Sequence, residues 1–239
     1  MIVHQTTQKA SRDNLDPFLC ILAEQNNSKG KRDFTVSVVG ENPRLRNRLA
    51  VLVEGAGYPV QCFTSTADFL TQRETNVPGC VVVDLQAPQM DGLKLQAALA
   101  SEELPLPVIF FSEINDVLAS VQAMKAGAFD VLPEPVDGQS LLSAISLAAA
   151  HYAKMRHGYE VRIAIRRKFA TLSRREIEVL RRVIAGRLNK EIAFELGIVE
   201  KTIKVHRGRA AKKLGTRSVV EFVRLAAIAD VTPYSADNS

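Results

Sequence analysis

From Phe34 to about residue 150 the chain alternates short, almost wholly apolar runs with stretches of helical periodicity. The runs are Thr35–Val39, Val60–Phe63, Cys80–Leu85, Val108–Phe111 and Phe129–Leu132. A strand that is apolar on both faces must be covered on both faces. Five such strands, each followed by a helix within about 120 residues, imply a doubly wound parallel sheet. The helix boundaries agree. Asn42 stands before Pro43, a capping residue ahead of a proline at the first helical position. Ser65 and Asp68 have the spacing of a capping box, and Gly127 follows Met124-Lys125-Ala126 where a helix should stop.

In such a sheet the chemistry lies outside the carboxyl ends of the strands. That topology gathers residues far apart in sequence: Gly40 and Glu41 after the first strand, Asp84 at the third, Ser112 after the fourth and Glu134 after the fifth. A long helical stretch follows, from about Gln139 to Lys168. Leu141, Leu142, Ile145 and Ala148 share one face of its first half. Its second half is polar and basic, with Gly158 expected as a weak point or break.

Charge then separates the two ends of the chain. From Lys154 onward there are 20 Lys and Arg against 9 Asp and Glu, a net +11, while the first 153 residues carry −6. A strongly basic domain points to a polyanion, most often nucleic acid. Residues 170–232 read as four short helices. Ser173 with Glu176, and Ser218 with Glu221, have capping-box spacing, and Asn189 is a candidate cap between them. Asn189–Leu196 and about Glu200–Leu214, separated by a turn containing Gly197, outline a helix-turn-helix. At about 100° per residue, Ile203, His206, Ala210 and Leu214 form the buried stripe of the second helix. Lys201, Lys204, Val205, Gly208 and Lys212 fall on the opposite face, with Arg209 at its edge. Lysines there suit phosphates or guanine edges, and Val205 suits a thymine methyl.

Residues 1–33 form a polar extension ending in QNNSKGKRD, with one apolar patch, Phe18–Leu22, to which no function is assigned. No uncharged apolar run approaches about 18 residues, so no membrane span is expected. The first residues lack a signal-type apolar run, which suggests a cytoplasmic protein. Cys20, Cys62 and Cys80 share no metal-ligand spacing.

The segment LSRREIEVLRRVIAGRLNKEIAFELGIVEKTIKVHRGRAAKKLGTRSVVE resembles the LuxR-type DNA-binding domain, through L-S-x-R-E-x-E-V-L, A-G-x-x-N-K-E-I-A, T-I-K-V-H and K-L-G. The resemblance implies sequence-specific binding to double-stranded DNA, usually as a homodimer on paired half-sites. It turns Lys204 and Val205 toward bases and makes Lys190, Thr202 and Arg207 backbone contacts. One departure is Val199, where the family often has Ser or Thr capping the recognition helix. VVVDLQAPQMDGLKL, VIFFS, MKAGAFD and the Pro-x-Pro turn resemble a response-regulator receiver over roughly residues 34–150. The whole is similar to a LuxR/FixJ/NarL-type two-domain response regulator. That resemblance implies a five-stranded sheet of order 2-1-3-4-5, a linker helix at 151–169, a four-helix DNA-binding domain at 170–232 and a tail at 233–239.

The same resemblance makes Asp84 the phosphoacceptor and Ser112 the accompanying hydroxyl. It also exposes departures. The acidic pair after the first strand is Gly40-Glu41, the lysine of the K-P turn is Glu134, the strand-5 aromatic is Val131 and the acceptor-loop methionine is Ala87. A phosphoryl group needs a cation, and Glu41, Asp84 and Glu134 together give −3 with none. The expectation is therefore a degenerate receiver acting largely without phosphorylation, biased by a ligand, a partner protein or concentration. A conventional regulator phosphorylated at Asp84 by a histidine kinase is the alternative. Magnesium could at most sit weakly at Glu41 and Asp84, with Glu134 a conceivable substitute ligand; no other cofactor is expected. No cofactor loop, nucleophile–base pair or triad points to an enzyme.

Overall fold

The computed structural model describes residues 31–75, 77–85, 92–113 and 117–235. The patch Phe18–Leu22, Cys20, and Ala87, Pro88 and Asp91 of the acceptor loop lie outside the described residues. The chain divides into two compact units, Met1–Lys154 and Met155–Ser239.

The first unit runs β1 (Thr35–Val39), α1 (Pro43–Gly55), β2 (Val60–Phe63), α2 (Thr66–Gln72), β3 (Gly79–Asp84), α3 (Gly92–Ala100), β4 (Val108–Glu113), α4 (Val117–Lys125) and β5 (Asp130–Glu134). All strand pairs are parallel, in the order β2-β1-β3-β4-β5. Along each strand, side chains alternate between faces. Val39, Val81, Val83 and Phe110 join one core with Phe69, Leu95 and Leu99. The intervening Val38, Val82 and Ile109 are equally buried. Both faces are thus covered, as the unbroken apolar runs demand.

Local chemistry sets the element ends. The Asn42 Oδ1 accepts from the N–H groups of Arg44 (3.0 Å) and Leu45 (3.3 Å) to start α1. The Ser65 hydroxyl accepts from the Asp68 N–H at 3.0 Å, while the Asp68 carboxylate takes the Thr64 hydroxyl, so only half of the expected capping box forms. At Gly92 an added Cβ would lie 2.8 Å from the Phe110 ring, so a larger residue would force that ring or α3 to shift. At the end of α4, Gly127 takes φ +98, and the Ala128 N–H reaches back to Ala123 O at 3.0 Å.

Helix α5 (Gly138–Ala170) has 33 residues and runs unbroken through Gly158, which corrects the expected break. Leu141, Ala144, Ile145, Ala148 and Tyr152 bury its first half. Its far end belongs to the second unit, where Ile165 and Phe169 pack with Val179, Leu180, Ile192, Ile203, Leu214 and Phe222. Glycine inside a helix costs about 1 kcal/mol. Burial of a single large apolar side chain contributes about 1.5–3 kcal/mol, so the anchored ends outweigh one glycine.

The second unit adds α6 (Arg174–Ile184), α7 (Asn189–Leu196), α8 (Glu200–Leu214) and α9 (Val219–Ile228). Ser173 and Glu176 make a complete capping box on α6. The segment after α9 returns to α6: the Tyr234 N–H donates to Arg181 O at 3.0 Å, and the Arg182 guanidinium lies 4.0 Å from the Tyr234 ring centre. No helix among the described residues is long and apolar enough to cross a membrane.

Candidate functional site

Two places hold the residues singled out by the sequence. The first is the helix-turn-helix. Helix α7 ends at Gly197, whose φ of +64 is left-handed and suits glycine. The Ile198 N–H then bonds Ala193 O at 3.0 Å, and α8 begins after Val199. Val199 caps with no side-chain hydrogen bond. Asn189 does not cap α7, contrary to expectation. It is the first helical residue, Leu188 holds the cap position, and the Glu191 carboxylate accepts from the Leu188 N–H at 2.8 Å. The Asn189 Oδ1 instead accepts from the Arg207 guanidinium at 3.0 Å, tying the two helices of the motif together.

On α8, Ile203, Ala210 and Leu214 are buried, and so is Ala211, while His206 is half-buried. Lys201, Lys204, Val205, Gly208, Arg209 and Lys212 are exposed, as the helical periodicity predicts, and Lys190 is exposed at the start of α7. Thr202 and Arg207 are half-buried. Lys204 pairs with Glu200 one turn back at 3.1 Å. An exposed pair of this kind contributes roughly 0.3–0.5 kcal/mol, so it is readily exchanged for a stronger anion.

The second place is the carboxyl edge of the sheet. Asp84 ends β3 and is half-buried. Ser112, 2% exposed, lies one residue beyond the position that pairs with Asp84 across β3 and β4. Glu134 ends β5, half-buried, with a cis bond to Pro135. Gly40 is buried just past β1, and Glu41 beside it is exposed. The parallel register therefore brings Gly40, Asp84, Ser112 and Glu134 to one edge. Val131 is half-buried on β5 and packs against the core of Phe110.

The edge also holds cations that the sequence reading missed. The Arg46 guanidinium, on α1, donates to the carbonyls of Gly40 and Glu41. Arg48 donates to Val136 O at 3.2 Å, just beyond the Glu134–Pro135 turn. Their acceptors are backbone oxygens, so no pairing of charged residue types could signal them. The residues do not fit a magnesium ion well. Position 40 offers no side chain, Glu41 is exposed, and a guanidinium already lies on the carbonyls of this turn. Among the described residues no group of three or more His, Cys, Asp or Glu is arranged to hold a metal. Cys80 is buried, and burial pushes its thiol well up, as expected of an inert core cysteine.

Comparison with known proteins divides the chain in the same way. Residues 36–146 match the model of the response regulator receiver domain. Residues 170–226 match that of the bacterial regulatory proteins of the luxR family. The chain is 40% identical over 189 residues to the transcriptional regulatory protein TdiR of Thauera aromatica, covering 79% of this chain and 83% of that one. It is 34% identical to the transcriptional regulatory protein FixJ of Rhizobium meliloti, over 81% of this chain and 95% of that one. Among solved structures, the response regulator StyR superposes with a TM-score of 0.71 at 37% identity, covering 82% of this chain and 98% of StyR.

Proposed function

Because the chain belongs to the family of two-component response regulators that join a receiver to a LuxR-type DNA-binding domain, we propose that it regulates transcription through a receiver whose output depends little on phosphorylation. It is a DNA-binding regulator, and its family is one of transcription regulators, not of enzymes. Glu134 carries the finer reading. It puts a carboxylate at the end of β5, on the edge that holds Asp84, where the family's lysine would bring a cation to an arriving phosphoryl group. Arg46 and Arg48 are placed by the backbone carbonyls of Gly40, Glu41 and Val136, not by a carboxylate of this edge.

In this reading residues 34–150 are the regulatory module, 151–169 connect and 170–232 bind DNA. Lys204 and Val205 face bases. Lys190, Thr202 and Arg207 contact the backbone, with Lys201, Arg209 and Lys212 on the same face. Two copies pair so that their recognition helices meet successive half-sites. The apolar outer surface of α4 supports pairing through the receiver: Val117 and Leu118 are 67% and 71% exposed, and Val121 and Met124 lie exposed beside them. A ligand or partner protein that favours the paired form supplies the signal.

The second reading, phosphorylation of Asp84 by a histidine kinase, is favoured by the adjacency of Asp84 and Ser112. Intact mass after incubation with Mg²⁺ and acetyl phosphate separates the two, on wild type and on Asp84→Asn. The expected result is no adduct on either protein and equal affinity for DNA. One phosphoryl group on wild type alone, with a change in DNA affinity, establishes the second reading.

A further inference from the structure

A cavity of about 290 Å³ opens beside the recognition helix, lined by Asn189, Lys204, Arg207, Gly208, Ala211, Arg217 and Phe222. Its wall follows from helix periodicity. Lys204, Arg207, Gly208 and Ala211 stand at i, i+3, i+4 and i+7 on α8, which is one face. Phe222 of α9, 1% exposed, closes the floor. Arg217 comes from the turn between α8 and α9, outside the helix-turn-helix, and is exposed.

Three of these side chains are permanent cations, and none is acidic. The Arg207 guanidinium is half-buried and held by Asn189 at 3.0 Å, so its direction is set before any ligand arrives. Arg217 has no hydrogen-bond or ion-pair partner among the described residues. Gly208 lies at the centre of the wall, and a Cβ built there meets nothing within 4 Å. The α8 backbone is therefore open to close approach. A pre-aimed guanidinium and a second free one beside the same concavity suit an oxyanion with several equivalent oxygens, because guanidiniums donate in pairs to phosphate.

We propose that this cavity seats one phosphate of the DNA backbone, with Arg207 as its fixed donor and Arg217 as a contact supplied from outside the recognition motif. The proposal rests on the DNA-binding reading and goes beyond it in assigning Arg217. A phosphate seat fixes register on the duplex and carries no sequence information. Arg217 therefore acts on affinity and salt dependence, whereas Lys204, turned toward bases, also acts on sequence preference.

The test follows from that division. Binding of the full chain to a mixed-sequence duplex of about 30 base pairs is measured by fluorescence anisotropy from about 50 to 200 mM KCl. Arg217→Ala should weaken binding roughly tenfold near 0.1 M salt and reduce the slope of log K against log salt by about one. Arg217→Lys should keep most of the slope. In selection from a random-sequence pool, Arg217→Ala should retain the wild-type preference, while Lys204→Ala should relax it at one position. A wild-type slope in Arg217→Ala, or a changed sequence preference, overturns the site while leaving DNA binding intact. Failure of the wild-type chain to bind the duplex at all overturns the DNA-binding reading and the site with it.

Discussion

Val199 heads the recognition helix with two methyl groups where a hydroxyl would accept a backbone N–H. Its backbone already has cap geometry (φ −79, ψ 149), and its side chain is 67% exposed. Val199→Ser should therefore lose little burial and gain the missing bond. Capping substitutions of this kind stabilise by about 1 kcal/mol. The expected outcome is a higher urea midpoint; an unchanged or lower midpoint means the first turn of α8 is not capped through residue 199. A different logic governs Glu176, which is 4% exposed and accepts from Lys213 at 2.6 Å and from the Ser173 N–H at 2.8 Å. Burial by itself pushes its carboxyl up, but Lys213 and Ser173 outweigh burial and hold it below the ordinary value of 4.5. A carboxyl that is more acidic folded than unfolded contributes stability fully above the unfolded value and loses it as pH falls through the folded one. Below about pH 4.5 the wild type should thus lose stability more steeply than Glu176→Gln. Parallel curves of urea midpoint against pH would show that this pair does not govern the acid limb. The sequence disclosed the capping box and not the lysine, because Lys213 lies 37 residues away and only the packing of α6 on α8 brings it there.

At the scale of elements the sequence was legible wherever one physical rule decides. Apolar runs gave the five strands to within two residues at either end, and the buried stripe of α8 followed from 3.6-residue periodicity. Readings failed where two rules compete. Gly158 reads as a breaker by propensity, yet α5 continues because both of its ends are anchored in cores. Asn189 reads as a cap by composition, yet its amide serves Arg207, 18 residues further on. Arg46, Arg48 and Arg217 carried no signal, since their surroundings are made by the fold and not by sequence neighbours. The glycine gives a direct test. Gly158 is exposed, and an added Cβ meets nothing within 4 Å. Gly158→Ala should stabilise that turn by about 1 kcal/mol, which slows local amide exchange about fivefold. Unchanged exchange across residues 155–162 would mean that the middle of α5 is not helical in solution.

Across the whole molecule, charge separates the tasks. A −6 segment holds the carboxyl edge of the sheet, and a +11 segment holds the LuxR-type domain. The receiver retains what the sheet supplies through its topology: Asp84 and Ser112 at adjacent strand ends. The proposed departures, Gly40 and Glu134, are positions that single codons could change, and this makes the proposed independence from phosphorylation testable by gain of function. An added Cβ at Gly40 meets nothing within 4 Å, so Gly40→Asp has room for a second carboxylate beside Glu41. Glu134→Lys reverses the charge at the end of β5, from one that repels an arriving phosphoryl dianion to one that pairs with it. Together the two changes should raise the yield of a single acetyl-phosphate-derived adduct on Asp84, read by intact mass in the presence of Mg²⁺. Adding Asp84→Asn should abolish it. If the doubly restored protein is folded and still gains no adduct, the barrier lies elsewhere in the edge. The Arg46 guanidinium on the β1–α1 turn is then the next group to remove.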